Sequence, residues 1–303
     1  MLIRSYTLLS KSHLALCVPR SLPGAHSPLL KVTGADAILR IDGASSAVWL
    51  PLRGHIRVTA AGTETRVARG EMLVTGAPGD AELAAGGNSL WLALAADAAG
   101  WRQVLKDFPR AAAAKDGLLP GRHRVSRALC RSALELVRAT ANGALETTAP
   151  AFIGRVVEAQ APLLDCLARC PGRTAQQRYQ VFQRLYRVRR FIAANCDREL
   201  DIATLAEIAS YSPSAFIRAF RTVFTDTPHA FLVDQRLRRA HNLINESPLG
   251  ISEIAKAIGF ENRCTFSRLF HRRFGVSAAT LRRERKLFVR QQHRPQPQAP
   301  SPV

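Results

Sequence analysis

Arginine recurs among small polar residues at two matching places in the C-terminal third of this 303-residue chain. Within each place the residues lie three or four positions apart, so that a helix would present them on one side. A guanidinium group can donate two hydrogen bonds to one planar partner, such as guanine or phosphate. The outward residues are Ser214, Ile217, Arg218 and Arg221 at the first place, and Arg263, Cys264, Ser267, Arg268 and His271 at the second. They are the strongest candidates for contacts with a nucleic acid.

An internal repeat puts these two groups in equivalent positions. Apolar residues recur at an offset of 49 in the first part of the repeat and 50 in the second. The pairs include Ile202 with Ile251, Leu205 with Ile254, Phe216 with Phe266 and Phe220 with Phe270. The extra residue, near Gly259, predicts a turn, because an insertion inside a helix would rotate its buried face. Each copy therefore predicts a helix-turn-helix unit, at about 201–224 and 251–274.

Capping residues predict where the four helices begin. Asp201 and Ser252 are expected to cap the first helix of each unit, and Ser212 and Asn262 the second. Pro213 strengthens the start that Ser212 predicts. Helix N-termini and nearby donors suit phosphate groups. The candidate phosphate contacts are Ser212, Arg221, Asn262, Ser267, His271 and Arg272.

One long helix, over 228–245, is expected to separate the two units. At about 1.5 Å per residue it would measure roughly 27 Å. This length is close to one turn of DNA, about 34 Å, and a major groove about 12 Å wide admits a single helix. The sequence therefore favours double-stranded DNA as the partner, bound at two adjacent major-groove segments.

Charge supports a polyanionic partner. The chain has 43 Lys and Arg against 23 Asp and Glu, a formal net charge of +20. Residues 173–290 hold 22 basic and 10 acidic side chains and are the more basic part per residue. The excess of Arg over Lys is equally compatible with a GC-rich genome. Neither a membrane span nor a secretory signal is predicted, so a cytoplasmic location without membrane contact is expected.

The segment 1–172 predicts a β-rich domain followed by helices. Short strands are expected at 14–18, 37–41, 47–52, 55–60, 71–75 and 89–95, and helices at 101–108, 124–141 and 150–170. Residues 173–185 are expected to form a linker or the start of a helix, and 290–303 a disordered tail. The predicted fold class is α+β multidomain, with a C-terminal all-α double helix-turn-helix domain at 186–285.

The C-terminal block resembles the AraC/XylS family of transcription regulators. The matching motifs are SPSAFIRAFR at 212–221, IGFENRCTFSRLF at 258–270, TP at 227–228, RLRRA at 236–240 and FGVS at 274–277. The resemblance implies that the second helix of each unit enters the major groove. It nominates as base-reading residues Ser214, Ile217 and Arg218 in the first unit, and Arg263, Cys264, Thr265 and Arg268 in the second.

Four residues depart from the family pattern. Thr225, Ala278 and Leu281 stand where Gly, Pro and Tyr are usual, and Ile217 stands where a polar base reader is frequent. Ile217 could contact a thymine methyl group or provide no hydrogen-bonded recognition. We therefore expect the second unit to contribute more of the base discrimination.

The N-terminal part resembles, at 48–54 and 70–72, the cupin-like domain of such regulators. That resemblance implies a sensor or dimerisation domain, with helices in 124–170 as candidate dimer contacts. A metal-binding cupin needs a His-x-His pair followed by Glu, and only His55 is nearby, so neither a metal nor another cofactor is expected. A small-molecule effector, a homodimer and RNA polymerase stay open as partners.

Two other function classes are alternatives to a non-enzymatic regulator. A nonspecific structural protein that coats DNA would explain the charge but not the two capped helices. An enzyme with a cupin-type N-terminal domain, or a DNA alkyl-transfer protein, would need a zinc site or a reactive Cys beside His. Of the six cysteines only Cys166 and Cys170 are close in sequence, and no His accompanies them. All six are interpreted as reduced thiols packed in helices.

Overall fold

A computed structural model describes residues 3–18, 28–44, 46–76, 80–114, 117–139 and 142–292. The chain forms two compact units, Met1–Gln180 and Val181–Val303. Across the described ranges, every helix is too short or too polar to cross a bilayer.

The strands of the first unit form two sheets. Their bounds are β1 (Ile3–Leu8), β2 (His13–Cys17), β3 (Leu29–Gly34), β4 (Ile38–Asp42), β5 (Ser46–Arg53), β6 (His55–Ala60), β7 (Thr63–Ala68), β8 (Glu71–Gly76), β9 (Ala81–Ala85), β10 (Leu90–Ala96) and β11 (Gly121–Arg124). One sheet has the order β1-β3-β10-β5-β8-β11 and the other β2-β4-β9-β6-β7. Strand β1 pairs parallel with β3, and β2 parallel with β4.

The predicted β-rich domain is confirmed, and six of its strands were predicted from the sequence. These are β2, β4, β5, β6, β8 and β10. Strands β1, β3, β7, β9 and β11 were not predicted. The two sheets pack their inner faces on one core, in which Leu39, Trp49, Ile56 and Trp91 are fully buried. Apolar residues alternating toward a shared interior are what hold two such sheets together.

Helices follow strands β1–β10, as predicted, but β11 lies between the 3-10 turn and α2. They are α1 (Ala98–Leu105), a 3-10 turn (Pro109–Ala113), α2 (Arg127–Arg138) and α3 (Asn142–Ala168). The prediction of a helix over 150–170 was wrong at its start, because α3 begins at Asn142 and accommodates Pro150 inside it. Lys31, buried in β3, donates from Nζ to the carbonyl oxygen of Ala139 at 2.7 Å, where α2 ends. Burial lowers the pKa of Lys31, and the helix C-terminus provides compensating negative potential.

The second unit is helical. Its elements are α4 (Ala175–Ala194), α5 (Ile202–Ile208), α6 (Pro213–Phe224), α7 (Pro228–Glu246), α8 (Ile251–Ala257), α9 (Arg263–Phe274) and α10 (Ala278–Gln292). Most of the segment 173–185 lies within α4. The tail predicted at 290–303 was wrong at its first residues, because α10 continues through Gln292, and 293–303 lies outside the described residues.

The cysteines are free thiols, but they are not all in helices. Cys17 is exposed on β2, and Cys196 is buried just after α4 ends, which corrects the interpretation made from the sequence. Cys166 is buried on α3, and Cys170 is buried just after that helix ends. Burial, and next the neighbouring Cys166, raises the pKa of Cys170 to about 12, so this thiol is an unreactive packing group.

Candidate nucleic-acid interface

The first helix of each helix-turn-helix unit begins at a capping residue, and one of these two residues differs from the prediction. The Asp201 carboxylate accepts a hydrogen bond from the Thr204 N–H at 2.8 Å, as expected. The Thr204 hydroxyl and N–H together lower the pKa of Asp201. The prediction of Ser252 as a cap was wrong. Gly250 occupies the cap position, and its N–H donates to Glu253 Oε2 at 2.6 Å.

The second helix of each unit, α6 or α9, also begins where the sequence predicted. Asn262 Oδ1 accepts from the N–H groups of Cys264 and Thr265 at 2.7 and 3.3 Å. Ser212 occupies the cap position of α6, but its side chain forms no capping hydrogen bond. Its hydroxyl group is exposed and can serve another acceptor or donor, such as a phosphate.

Aromatic side chains fix the orientation of these two helices. Phe216 and Phe220 of α6, and Phe266 and Phe270 of α9, are 0% exposed. The ring centroids within these pairs are 5.6 and 5.4 Å apart, which is normal for packed aromatic residues. Because one side of each helix is fixed in the core, the opposite side must face solvent.

The solvent-facing side of each helix contains four equivalent positions spaced i, i+3, i+4 and i+7, which we name the recognition face. In α6 it consists of Ser214, Ile217, Arg218 and Arg221, and in α9 of Cys264, Ser267, Arg268 and His271. All eight residues are exposed. Such a face, on a helix supported from behind, has the shape and the hydrogen-bond donors that a major groove accepts.

The remaining sequence candidates divide by exposure. Arg263, Asn262 and Arg272 are exposed near the recognition face of α9, whereas Thr265 is half-buried. Ser267 was predicted as a phosphate contact, yet it occupies the position equivalent to Ile217 and faces the same way as Arg268.

The arginines of the recognition faces are electrostatically available. Within the described part of this unit, the ion pairs use other residues: Asp234 with Arg238 and Arg273, and Asp197 with Arg239. Arg218 and Arg268 thus keep their guanidinium donors for an outside partner. Exposed positive charge of this kind attracts a phosphate backbone before any base is contacted.

Comparison with known proteins covers the same part of the chain. A family model described as a helix-turn-helix domain matches residues 205–284. The HTH-type transcriptional regulator GlxA of Rhizobium meliloti is 41% identical over 91 residues, which are 29% of this chain and 27% of that protein. The regulator AlkR of Acinetobacter baylyi is 32% identical over 93 residues, 31% of this chain and 30% of its own. The C-terminal domain is therefore similar to the DNA-binding domains of AraC/XylS-family regulators, and we call it the AraC-type domain.

Solved structures that resemble this AraC-type domain include the DNA-binding domain of AdpA in complex with a target DNA. It is 28% identical, covers 35% of this chain and 96% of its own, and has a TM-score of 0.33. A probable AraC family regulator from Rhodopseudomonas palustris is 27% identical, with 34% and 97% coverage and a TM-score of 0.33. The chain spans about a third of the length of the curated relatives it matches.

Arg236, on α7 of the AraC-type domain, joins its two helix-turn-helix units. Its Nε donates to the carbonyl oxygen of Cys196 at 2.7 Å, Nη2 to that of Arg198 at 3.0 Å and Nη1 to that of Gly259 at 2.8 Å. The first two carbonyls precede α5, and the third lies in the turn before α9. Sequence reasoning placed Arg236 only within a family motif. Its spacing of four residues from the inward Leu232 and Ala240 was the signal that it is partly buried.

Asp234, also on α7, connects α7 to α9, the second helix of the second helix-turn-helix unit. Its carboxylate accepts from Arg238 on the same helix and from Arg273 on α9, both at 2.6 Å. Partial burial raises the pKa of Asp234, but the hydrogen bonds and charges of Arg273 and Arg238 outweigh it and lower the pKa below its ordinary value. Nothing in the sequence pattern indicated this contact, because it joins residues far apart along the chain.

Proposed function

We propose that this protein is a transcription regulator that binds a specific, asymmetric double-stranded DNA site. Helices α6 and α9 would enter adjacent major-groove segments, with Arg218 and Arg268 at equivalent base-reading positions. The observation behind the proposal is the pair of exposed recognition faces, which differ in chemistry and therefore favour two different half-sites. The cytoplasmic location expected from the sequence follows from this role.

Base-reading and phosphate contacts are divided within the same proposal. Ser214, Ile217, Arg218, Arg263, Cys264 and Arg268 would contact base edges, with Ser267 beside them because of its place on the recognition face. Ser212, Arg221, Asn262, His271 and Arg272 would contact phosphates. The half-buried Thr265 would act mainly through its backbone N–H at the start of α9.

Selection of preferred duplexes from a random DNA pool with the full chain tests the proposal. We expect one enriched asymmetric motif spanning about two successive turns of DNA. Arg268→Ala should then weaken binding to the selected duplex and relax base preference at one position, whereas Arg272→Ala should weaken all duplexes alike. An unenriched pool, or equal losses on random DNA for both variants, would instead indicate a nonspecific DNA-coating protein.

A regulatory role is proposed for the N-terminal domain, as a cupin-like sensor or dimerisation domain. Side chains such as Trp49 and Trp91 fill the space between its sheets. We therefore place an effector or a second copy at the sheet edges or along α2 and α3 rather than between the sheets. Light scattering of the full chain, with and without DNA, tests dimerisation, and a monomer under both conditions would leave effector sensing as the remaining role. RNA polymerase is the partner that a transcription activator would require.

A further inference from the structure

Ile217 is the one aliphatic residue among the eight recognition-face positions, and its side chain is exposed. It is 37% exposed, while its neighbours Phe216 and Phe220 are completely buried. We propose that Ile217 recognises the 5-methyl group of a thymine in the DNA segment that the first unit binds. The inference rests on the proposed function and adds the chemical identity of one base contact.

The position of Ile217 on α6 supports this contact. It lies three residues after Ser214 and one residue before Arg218, both of which are exposed on the same side of the helix. A residue between two groove-facing polar groups must itself face the groove when the helix is bound. Among the four base pairs, only those with thymine present a methyl group in the major groove, and aliphatic side chains contact it.

Packing accounts for only part of the Ile217 side chain, and the rest stays exposed. The core beneath α6 is formed by Phe216, Phe220, Val223 and Phe224, all of which are buried. The 37% of the Ile217 surface that is exposed gains no free energy from folding, since that apolar surface stays in water. Contact with a thymine methyl would remove that surface from water only when DNA is bound.

The second unit provides the internal comparison. Ser267 occupies the equivalent position on α9 and is also exposed, but its hydroxyl group prefers polar base atoms. The two half-sites should therefore differ in one property: dependence on a methyl group in the segment bound by α6, and no such dependence at the equivalent base pair bound by α9.

The test replaces each thymine of the selected duplex, one at a time, by deoxyuridine, which removes only the methyl group. Affinity of the full chain is measured by fluorescence anisotropy at one fixed salt concentration. We expect one thymine in the first segment at which uracil weakens binding about fourfold, the loss that corresponds to one buried methyl-sized group. Replacing that T·A pair by a C·G pair should weaken binding further, and 5-methylcytosine should restore part of the loss.

Variants at an exposed position keep the fold, so they isolate the contact. Ile217→Ala should bind the thymine and uracil duplexes equally, and Ile217→Val should retain most of the preference. Ser267→Ile should create a methyl dependence in the second segment when a thymine is placed at the equivalent pair.

Two results separate this inference from the proposed function. If the chain selects a specific site and Arg268→Ala relaxes it, but no thymine of the first segment responds to uracil, the methyl contact is wrong and the regulator stands. The same holds if Ile217→Ala stays as sensitive to uracil as the unaltered chain. If no site is selected at all, both fail together.

Discussion

The two helix-turn-helix units turn their chain in the same way but with different residues. Between the helices of the first unit, Ser210 adopts a positive φ of 57°, and in the second Gly259 adopts 84°. After the recognition helices, Thr225 adopts 67° and Gly275 adopts 75°. Left-handed backbone is easy for glycine and costs other residues free energy. The first helix-turn-helix unit therefore adopts the shared turn geometry at residues that are strained by it, whereas the second adopts it at glycines, which are not.

The buried and exposed residues of the two units have diverged to different extents. Phe216 and Phe220 have phenylalanine at the equivalent positions of α9, whereas only one of the four recognition-face positions, Arg218 with Arg268, keeps its residue. The buried core can thus hold the orientation of the two recognition helices constant while the residues of their recognition faces change. Stability and base preference should accordingly respond to separate sets of substitutions.

The largest effect is expected at the turns. Gly259→Ala would combine a positive φ with a Cβ only 2.8 Å from Cζ of Arg236, which three carbonyl hydrogen bonds hold in place. We expect it to lower the free energy of unfolding by about 2–3 kcal/mol, and Ser210→Gly at the matching turn to raise it by up to about 1 kcal/mol. Urea denaturation followed by circular dichroism measures both. Equal effects of the same sign would mean that the turns are not equivalent.

The next effect concerns DNA affinity. Arg268→Ala should cost about 1–3 kcal/mol on the selected duplex. Arg218→Ala should cost less, because the polar Ser267 and Cys264 beside Arg268 offer more hydrogen-bonded discrimination than Ile217 and Ser214 do. Anisotropy titrations of the two variants on one duplex make the comparison, with Arg57→Ala, at an exposed position on β6 of the N-terminal domain, as the control. A larger loss for Arg218→Ala would transfer the main discrimination to the first unit.

A smaller effect is expected from exchanging the residues that end the recognition helices. Thr225→Gly should raise the free energy of unfolding by about 1 kcal/mol, since a β-branched residue is strained at positive φ. Gly275→Thr should lower it by a similar amount, and purely from backbone strain, because a Cβ there meets no neighbouring atom within 4 Å. Thermal melts of both variants decide the matter. If Thr225→Gly is neutral or destabilising, the strain assigned to the first unit is absent.

The smallest effect belongs to the Asp234 contact, which restrains only the second unit. Its carboxylate is 27% exposed and its two arginine partners are about half exposed, so Asp234→Asn should cost only about 0.5–1 kcal/mol. Since folding lowers the pKa of Asp234, this stabilisation is present above the ordinary carboxylate pKa, about 3.9, and is lost as pH falls through the lowered value.

Melting temperatures measured from neutral to acid pH test this contribution. The difference between the unaltered chain and Asp234→Asn should shrink as the pH falls into that range. Asp226→Asn, at an exposed position near the end of the first helix-turn-helix unit, is the matched control for the loss of one carboxylate. A difference that stays constant down to the lowest pH would show that the Asp234 charge is not what stabilises the second unit.

Local patterns in the sequence predicted much of the C-terminal domain. The cores of α6, α7 and α9, and the caps Asp201 and Asn262, follow from spacing within a few residues. The misplaced cap at Ser252 shows the limit of such patterns, because glycine offers no side chain to recognise as a cap. Base contacts remain predictions, since exposure shows which side chains are available but not which base each one meets.

Sequence patterns could predict neither strands that lack alternation nor contacts between distant parts of the chain. Strand β3 is buried throughout and β7 is mostly exposed, so neither shows the alternation that reveals a strand. Lys31 occupies a buried strand position because its partner, the end of α2, lies more than a hundred residues away. A charged residue in an apolar segment gives no hint of such a partner.

The three carbonyl hydrogen bonds of Arg236 have a consequence for motion. Opening of the turn before α9 would also release the segment before α5, so the two halves of the domain should exchange their amide hydrogens as one cooperative block. A fragment containing a single helix-turn-helix would lose that mutual restraint and should fray. Binding to a duplex that offers only one half-site would then still require both halves to be ordered.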